Sequence, residues 1–124
     1  MKKILFIEDE QALQRALGDI LGKEDYEVIS ALDGETGLKL AETKEPDLIL
    51  LDVILPKMKG FDVLKKLKED PDTKEIPVII LTNLEEMQHV EEALRLGATT
   101  YLVKTDYTLE EVIEKVKKSL TKQI

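Results

Sequence analysis

The sequence predicts an α/β fold in which one domain is built on a doubly wound (βα)5 parallel sheet. Three observations predict it. Short apolar runs recur at regular intervals, segments with helical spacing of apolar residues separate them, and the four prolines all fall between these periodic segments. Strands that alternate with helices are joined by right-handed crossovers, which produces a parallel sheet with helices on both faces. The length of 124 residues is typical of one domain.

Five apolar runs are the predicted strands, and they are residues 4–7, 28–29, 48–51, 78–81 and 101–103. Four of these runs are continuous and rich in branched side chains, and continuous apolarity is typical of strands covered on both faces. The run at 28–29 is flanked by Glu27 and Ser30, which favours an edge strand. Five such strand–helix units suit the flavodoxin-like strand order 2-1-3-4-5.

Apolar residues at helical spacing follow each strand and predict five helices. In the first helix the predicted apolar stripe consists of Ala12, Leu13, Ala16, Leu17, Ile20 and Leu21. Capping residues mark the helix starts, with Asp33 before the second helix and Thr108 with Glu111 before the fifth. Asn83 and Glu86 have the same three-residue offset before the fourth helix.

Composition excludes several classes of function. The chain has no cysteine and one histidine, which excludes disulfides, a cysteine nucleophile, zinc-ribbon and iron–sulfur sites, and a histidine-based metal centre. Its 18 basic and 26 acidic residues give a formal net charge of -8, which disfavours direct nucleic-acid binding and anionic membranes. No apolar run approaches the ~18 residues of a membrane helix, and the first run is too short for a signal peptide. We therefore expect a soluble cytoplasmic protein without membrane insertion.

Polar side chains follow four of the strands at the point where each strand ends. An acidic triplet, residues 8–10, follows the first strand, and Asp52 follows the third. Thr82 follows the fourth strand and Lys104 follows the fifth. These four strands are neighbours in the predicted order, so we expect the side chains to converge at the carboxyl end of the sheet, where sites form in open α/β folds.

This combination of side chains favours phosphoryl transfer to an aspartate. Clustered carboxylates repel one another, and a hard divalent ion such as Mg²⁺ relieves the repulsion. An aspartate carboxylate is a competent nucleophile toward phosphorus. A metal ion and a lysine neutralise the charge of a transferring phosphoryl group, and a nearby hydroxyl bonds one of its oxygens. The sequence therefore predicts an aspartate-phosphorylation site with Mg²⁺ as its cofactor.

Taken in this order, the motifs resemble the receiver domain of two-component response regulators, in the single-domain form typified by the chemotaxis regulator. The resemblance covers essentially the whole chain, and its motifs are Glu8-Asp9, Asp52-Val53-Ile54-Leu55-Pro56 with Gly60, Thr82, and Tyr101 with Lys104. It implies one receiver domain over residues 1–124 with no output domain in the chain. Output is then expected through contact with a downstream protein target.

The resemblance implies a role for each acidic residue at the strand ends. Asp52 is similar to the phosphoacceptor of the family. Asp9 and Asp52 resemble direct Mg²⁺ ligands, and Glu8 is expected to reach the ion through water. The backbone carbonyl of Ile54 resembles the remaining protein ligand.

Three further residues resemble the family's phosphoryl-contacting and switch positions. Lys104 resembles the residue that pairs with the phosphoryl group, Thr82 resembles the hydroxyl that moves toward it, and Tyr101 resembles the aromatic whose rotamer reports the state. Asp52, Lys104 and Thr82 are thus the residues expected to carry the chemistry. The surface formed by the fourth helix, fifth strand and fifth helix is the implied output face.

The resemblance also implies partners and an activity. The expected phosphodonor is a histidine kinase or a phosphotransfer protein, and the expected oligomeric state is a monomer or a phosphorylation-dependent dimer. Such a chain catalyses only its own phosphorylation and dephosphorylation, so it is a signalling switch rather than a turnover enzyme.

The sequence departs from the family pattern at two places. Thr105 follows Lys104 where the family usually has proline after a cis peptide bond. A cis bond before a residue other than proline costs ~2.5–4 kcal/mol, so this bond is expected to be trans, or cis under strain. Ile54 and Leu84 stand two residues after Asp52 and Thr82, where the family's side chains flank the path of the hydrolytic water. Two apolar side chains cannot orient water, which predicts slow self-dephosphorylation.

Three other functions fit the same fold class. A flavin-binding electron carrier needs a Ser/Thr/Gly-rich phosphate loop after the first strand, and the acidic residues 8–10 would repel phosphate. An aspartate-nucleophile phosphohydrolase would place an Asp-x-Asp pattern there, and this chain has Glu-Asp-Glu. A phosphorylation-independent interaction domain is disfavoured by the intact acidic set, although the missing proline at Thr105 leaves it open.

Overall fold

The computed structural model describes residues 1–53, 55, 58–82, 90–103 and 108–121, without the side chains at positions 82, 90 and 121. Strands and helices alternate along the chain. They are β1 (Lys3–Ile7), α1 (Gln11–Lys23), β2 (Glu27–Ala31), α2 (Gly34–Lys44), β3 (Leu48–Asp52), α3 (Gly60–Glu69), β4 (Val78–Thr82), α4 (Val90–Arg95), β5 (Thr100–Val103) and α5 (Leu109–Thr121).

The five strands form one parallel sheet in the order β2-β1-β3-β4-β5, which confirms the predicted fold class and strand order. β2 lies at the edge, as its weak apolar run predicts. β1 lies between β2 and β3, and Ile7 at its end pairs with both Ala31 and Leu51. The register therefore places the residues that follow β1 beside the carboxyl end of β3.

The sheet separates two apolar cores, because successive side chains of a strand point to opposite faces. Ile4 and Phe6 of β1 pack on the face covered by α1 and α5. Leu5 and Ile7 pack on the opposite face, with residues of α2, α3 and α4. All four side chains are fully buried. Burial on both faces explains why the strand sequences are continuously apolar rather than alternating. Within the residues the structure describes, no helix is long and apolar enough to cross a membrane.

Two of the predicted helix caps are confirmed. The Thr36 N–H donates to Asp33 Oδ1 at 2.8 Å at the start of α2. Thr108 and Glu111 form a capping box at the start of α5, where each backbone N–H donates to the other side chain at 3.2 Å. The residue 83–86 pair before α4 lies outside the described residues.

The predicted apolar stripe of α1 is wrong at one position. Ala12 is exposed, whereas Leu17 and Leu21 are buried, and the polar side chain of Gln14 lies in the buried row with them. The stripe is rotated toward residues 14, 17 and 21 because polar backbone groups, rather than apolar side chains, face the first turn of the helix.

Candidate functional site

Three carboxylates meet at the carboxyl ends of β1 and β3. One oxygen each of Glu8, Asp9 and Asp52 lies within 4.8 Å of the other two. Glu8 and Asp52 are only 1% and 4% exposed, while Asp9 is exposed to solvent. We call Glu8, Asp9 and Asp52 the acid cluster. The predicted convergence of the first and third strand ends is thereby confirmed for the acidic residues.

Glu8 is buried because the chain continues the β1–β2 pairing for one more residue. Its backbone N–H donates to Ala31 O at 3.0 Å, which holds residue 8 against the end of β2. Its carboxylate then accepts a hydrogen bond from the Glu10 N–H at 3.1 Å, at the start of α1. The Glu10 side chain itself makes no capping hydrogen bond, so Glu8 supplies a carboxylate to the amino end of the helix.

The segment after Asp52 is held close to the sheet by backbone hydrogen bonds. The Val53 N–H donates to Leu81 O at 3.1 Å, and the Gly60 N–H donates to Val53 O at 3.0 Å. A Cβ atom at Gly60 would lie 2.3 Å from Asp52 O and 2.6 Å from Val53 Cα. Since real side-chain carbons do not approach backbone so closely, glycine at position 60 is required for α3 to begin beside the carboxyl end of β3.

Gln14 is a polar residue of this region that the sequence interpretation missed. Its side-chain Nε2 donates to Phe6 O at 2.9 Å and to Glu8 O and Ala31 O at 3.1 Å. The signal available in the sequence was a polar residue three and seven positions before Leu17 and Leu21, on the buried side of the helix. A buried polar side chain needs hydrogen-bond partners, and at this end of the sheet the partners are strand carbonyls.

The donor set of the acid cluster fits Mg²⁺. All three side chains offer carboxylate oxygens, the hard donors that this ion prefers. Two of the three carboxylates are shielded from water, which strengthens their repulsion and the stabilisation that a bound cation provides. The ligand chemistry therefore supports the metal predicted from the sequence.

Two of the other predicted site residues lie on β4 and β5. Thr82 is the last residue of β4 and pairs in register with Val103 of β5, so the two strands end level with each other. Tyr101 is half-buried on β5, opposite Ile80, and packs against the core on the α3 face. Lys104 is the residue directly after β5.

Several predictions fall on residues outside those that the structure describes. They are the metal-ligand role of the Ile54 carbonyl, the phosphoryl contact of Lys104, the Lys104–Thr105 peptide bond and the apolar pair Ile54 and Leu84. The hydroxyl contact predicted for Thr82 concerns a side chain that is likewise not described.

The comparisons with known proteins agree with one another. The family model of the response regulator receiver domain matches residues 4–117. The response regulator PleD of Caulobacter vibrioides is 44% identical over 102 residues, covering 82% of this chain and 22% of PleD. The sporulation initiation phosphotransferase F of Bacillus subtilis is 34% identical over 119 residues, covering 96% of this chain and 94% of that protein.

Other relatives are longer than this chain. It spans 47% of the alkaline phosphatase synthesis transcriptional regulatory protein PhoP of Bacillus subtilis, at 41% identity over 94% of its own length. Among solved structures, a CheY-like response regulator receiver domain protein from Methanospirillum hungatei superposes with a TM-score of 0.91. It is 29% identical, with 99% of this chain and 96% of that chain covered.

Proposed function

The chain belongs to the response regulator receiver domain family, and on that premise we propose that Asp52 accepts a phosphoryl group in a Mg²⁺-dependent reaction. As a receiver domain it is a signalling module of two-component systems. The observation that carries the proposal is the acid cluster, which places a buried aspartate at the end of a central strand beside two further carboxylates. The phosphodonor is a histidine kinase or a phosphotransfer protein, which are the partners of receiver domains.

The acid cluster and one backbone carbonyl would hold the ion. Asp9 and Asp52 would be direct ligands, Glu8 would act through water, and the carbonyl of Ile54 would supply a further oxygen. When bound, Mg²⁺ supplies positive charge that offsets the repulsion within the cluster and stabilises the charge of a phosphoryl group in transfer.

The chemical step is a displacement at phosphorus. A carboxylate oxygen of Asp52 forms a bond to the phosphorus atom, while the bond from phosphorus to the donor's imidazole nitrogen breaks and its electron pair stays on that nitrogen. The product is an aspartyl phosphate. Lys104 pairs with the transferred group, and the Thr82 hydroxyl moves to bond one of its oxygens.

The output is a change at the surface formed by α4, β5 and α5. The half-buried Tyr101 on β5 changes rotamer with the position of Thr82, so a local charge event biases a two-state surface. A downstream protein target binds that surface, and the chain acts as a monomer or as a phosphorylation-dependent dimer in the cytoplasm.

Intact-mass spectrometry after incubation with acetyl phosphate and Mg²⁺ tests the proposal. We expect one phosphoryl group on the parent and none on Asp52→Asn or in the presence of EDTA. Asp62→Asn is the matched control, because Asp62 is an exposed aspartate on α3 outside the acid cluster, and it should be labelled like the parent. An unlabelled parent would contradict the proposal and favour a phosphorylation-independent interaction domain. Labelling of a Thr105→Pro variant would then show that the residue after Lys104 prevents phosphorylation of the parent.

The lifetime of the label tests the slow self-dephosphorylation proposed for this chain. The double variant Ile54→Asn with Leu84→Gln should lose its phosphoryl group faster than the parent, because polar side chains can orient the attacking water. Leu94→Gln is the control, since Leu94 is an exposed apolar residue of α4, and its lifetime should match the parent's. A double variant with an unchanged or longer lifetime would contradict the explanation.

A further inference from the structure

The Gln14 amide holds three backbone carbonyls at once. Nε2 donates to Phe6 O at 2.9 Å, Glu8 O at 3.1 Å and Ala31 O at 3.1 Å, and the side chain is 7% exposed. An amide has two N–H donors, so one of them is shared between two acceptors. A single side chain of α1 thus connects the carboxyl ends of β1 and β2.

One of these carbonyls, Glu8 O, belongs to the backbone that carries two members of the acid cluster. Glu8 O is part of the peptide that joins Glu8 to Asp9, so a hydrogen bond to it restricts the direction in which both side chains leave the chain. Ala31 O accepts from the Glu8 N–H as well as from Gln14. The backbone of Glu8 is therefore held at both its N–H and its carbonyl, independently of the acidic side chains themselves, and the carbonyl bond is the one that holds the Glu8–Asp9 peptide.

Packing alone does not account for glutamine at this position. Gln14 Oε1 is buried and has no hydrogen-bond partner in the described part of the chain, and a buried acceptor without a donor costs free energy. Turning the amide over would direct Oε1 at three carbonyl oxygens, so the three acceptors fix its orientation. An apolar side chain of similar length would fill the same space without burying Oε1.

We propose that Gln14 is a positioning residue for the metal site, and that its amide holds the Glu8–Asp9 peptide so that the acid cluster is arranged for Mg²⁺ before the ion binds. The inference rests on the proposed function. Repulsion among the carboxylates would otherwise rotate this peptide and separate the acidic side chains. Because the amide is uncharged, it restrains the backbone without reducing the negative charge that attracts the cation.

Mg²⁺ titration of the full chain, followed by amide NMR shifts, tests the inference. Gln14→Met keeps the length of the side chain and removes the donors, and we expect its Kd for Mg²⁺ to rise about 10-fold to 100-fold. Gln14→Asn keeps the amide but shortens its reach, and it should show the same direction of change. Thr73→Val is the matched control, because it also removes a buried donor, which bonds Leu67 O at 2.6 Å, at the opposite end of the sheet. Its Kd should stay at the parent value.

A second readout uses the metal-free protein. Hydrogen exchange of the Glu8 and Glu10 amides should be faster in both Gln14 variants than in Thr73→Val at equal global stability. If the parent binds Mg²⁺ and both Gln14 variants bind it equally well, the inference is overturned. An equal loss of affinity in Thr73→Val would also overturn it. If the parent itself fails to bind Mg²⁺, the proposed function fails, and unchanged exchange at Glu8 and Glu10 would separately refute the role of Gln14.

Discussion

The two ends of the sheet differ in how their charged side chains are arranged. At the amino end, donors meet acceptors: the Lys3 N–H donates to Asp47 Oδ2 at 2.8 Å, and Lys68 Nζ donates to Lys74 O and Ile76 O at 3.0 and 2.9 Å. At the carboxyl end, three like charges share a small region, since one oxygen of each lies within 4.8 Å of the others. The first arrangement stabilises the fold, whereas the second brings like charges together and provides the site.

At the amino end of the sheet, the Lys68 ammonium is partly buried and hydrogen-bonded to nearby carbonyls. Its methylene groups lie 3.2–3.3 Å from the position that a Cβ atom would take at Gly97, whose φ is 113°. Burial lowers the pKa of the Lys68 ammonium below its usual value of 10.5, and the neighbouring Glu75 opposes the shift in part. The two carbonyls that it reaches keep the ammonium at this half-buried position.

The largest expected change in the free energy of unfolding comes from a substitution at Gly60, where the chain passes close to the carboxyl end of β3. Gly60→Ala should lower the free energy of unfolding by about 3 kcal/mol, because the added Cβ would overlap Asp52 O and Val53 Cα. Urea denaturation measures the change. Gly18→Ala in α1 is the control, since nothing lies within 4 Å of the position that its methyl group would take, and it should stabilise the helix by up to about 1 kcal/mol. If the two substitutions changed the free energy of unfolding equally, the close approach of Gly60 to the Asp52 backbone would not be required for the fold.

The next largest change in stability comes from removing a buried hydrogen bond at the amino end of the sheet. Thr73→Val should cost about 1–3 kcal/mol, because it leaves Leu67 O buried without its 2.6 Å hydrogen bond. Thr43→Val removes a similar hydroxyl-to-carbonyl bond, to Lys39 O at 2.9 Å, at an exposed position where water replaces it. Its cost in the same urea experiment should be much smaller. A Thr73→Val protein as stable as the parent would show that this buried hydrogen bond does not stabilise the amino end of the sheet.

The smallest expected change is an increase in the free energy of unfolding rather than a decrease. Asp9→Asn removes one charge from the acid cluster, and in EDTA it should raise the free energy of unfolding by about 1 kcal/mol, since Asp9 is exposed and its repulsion is screened. In Mg²⁺ at about 100 times the Kd, the parent should gain about 2.7 kcal/mol and the variant much less. Denaturation curves with and without Mg²⁺ compare the two. Destabilisation of the metal-free variant would indicate that Asp9 stabilises the fold directly.

Much of this architecture could be predicted from the sequence. Continuous apolar runs predict strands covered on both faces, and the strand order then brings Asp9 and Asp52 to one edge of the sheet. The hydrogen-bond partners of Gln14 could not be predicted, because helical periodicity identifies the side chains that face the core and says nothing of the strand carbonyls opposite them. The requirement for glycine at position 60 depends on how closely α3 returns past β3, which is a property of the tertiary structure.

The position of β1 in the interior of the sheet has a consequence for synthesis of the chain. Of the five strands, β1 is synthesised before the others, and its second neighbour, β3, follows only after α2. Asp52 is the last residue of β3, so all three members of the acid cluster are synthesised before β4 and β5. A nascent chain that docks β3 on β1 before β4 is available brings these like charges together early, and divalent cations in the surrounding solution would favour that step.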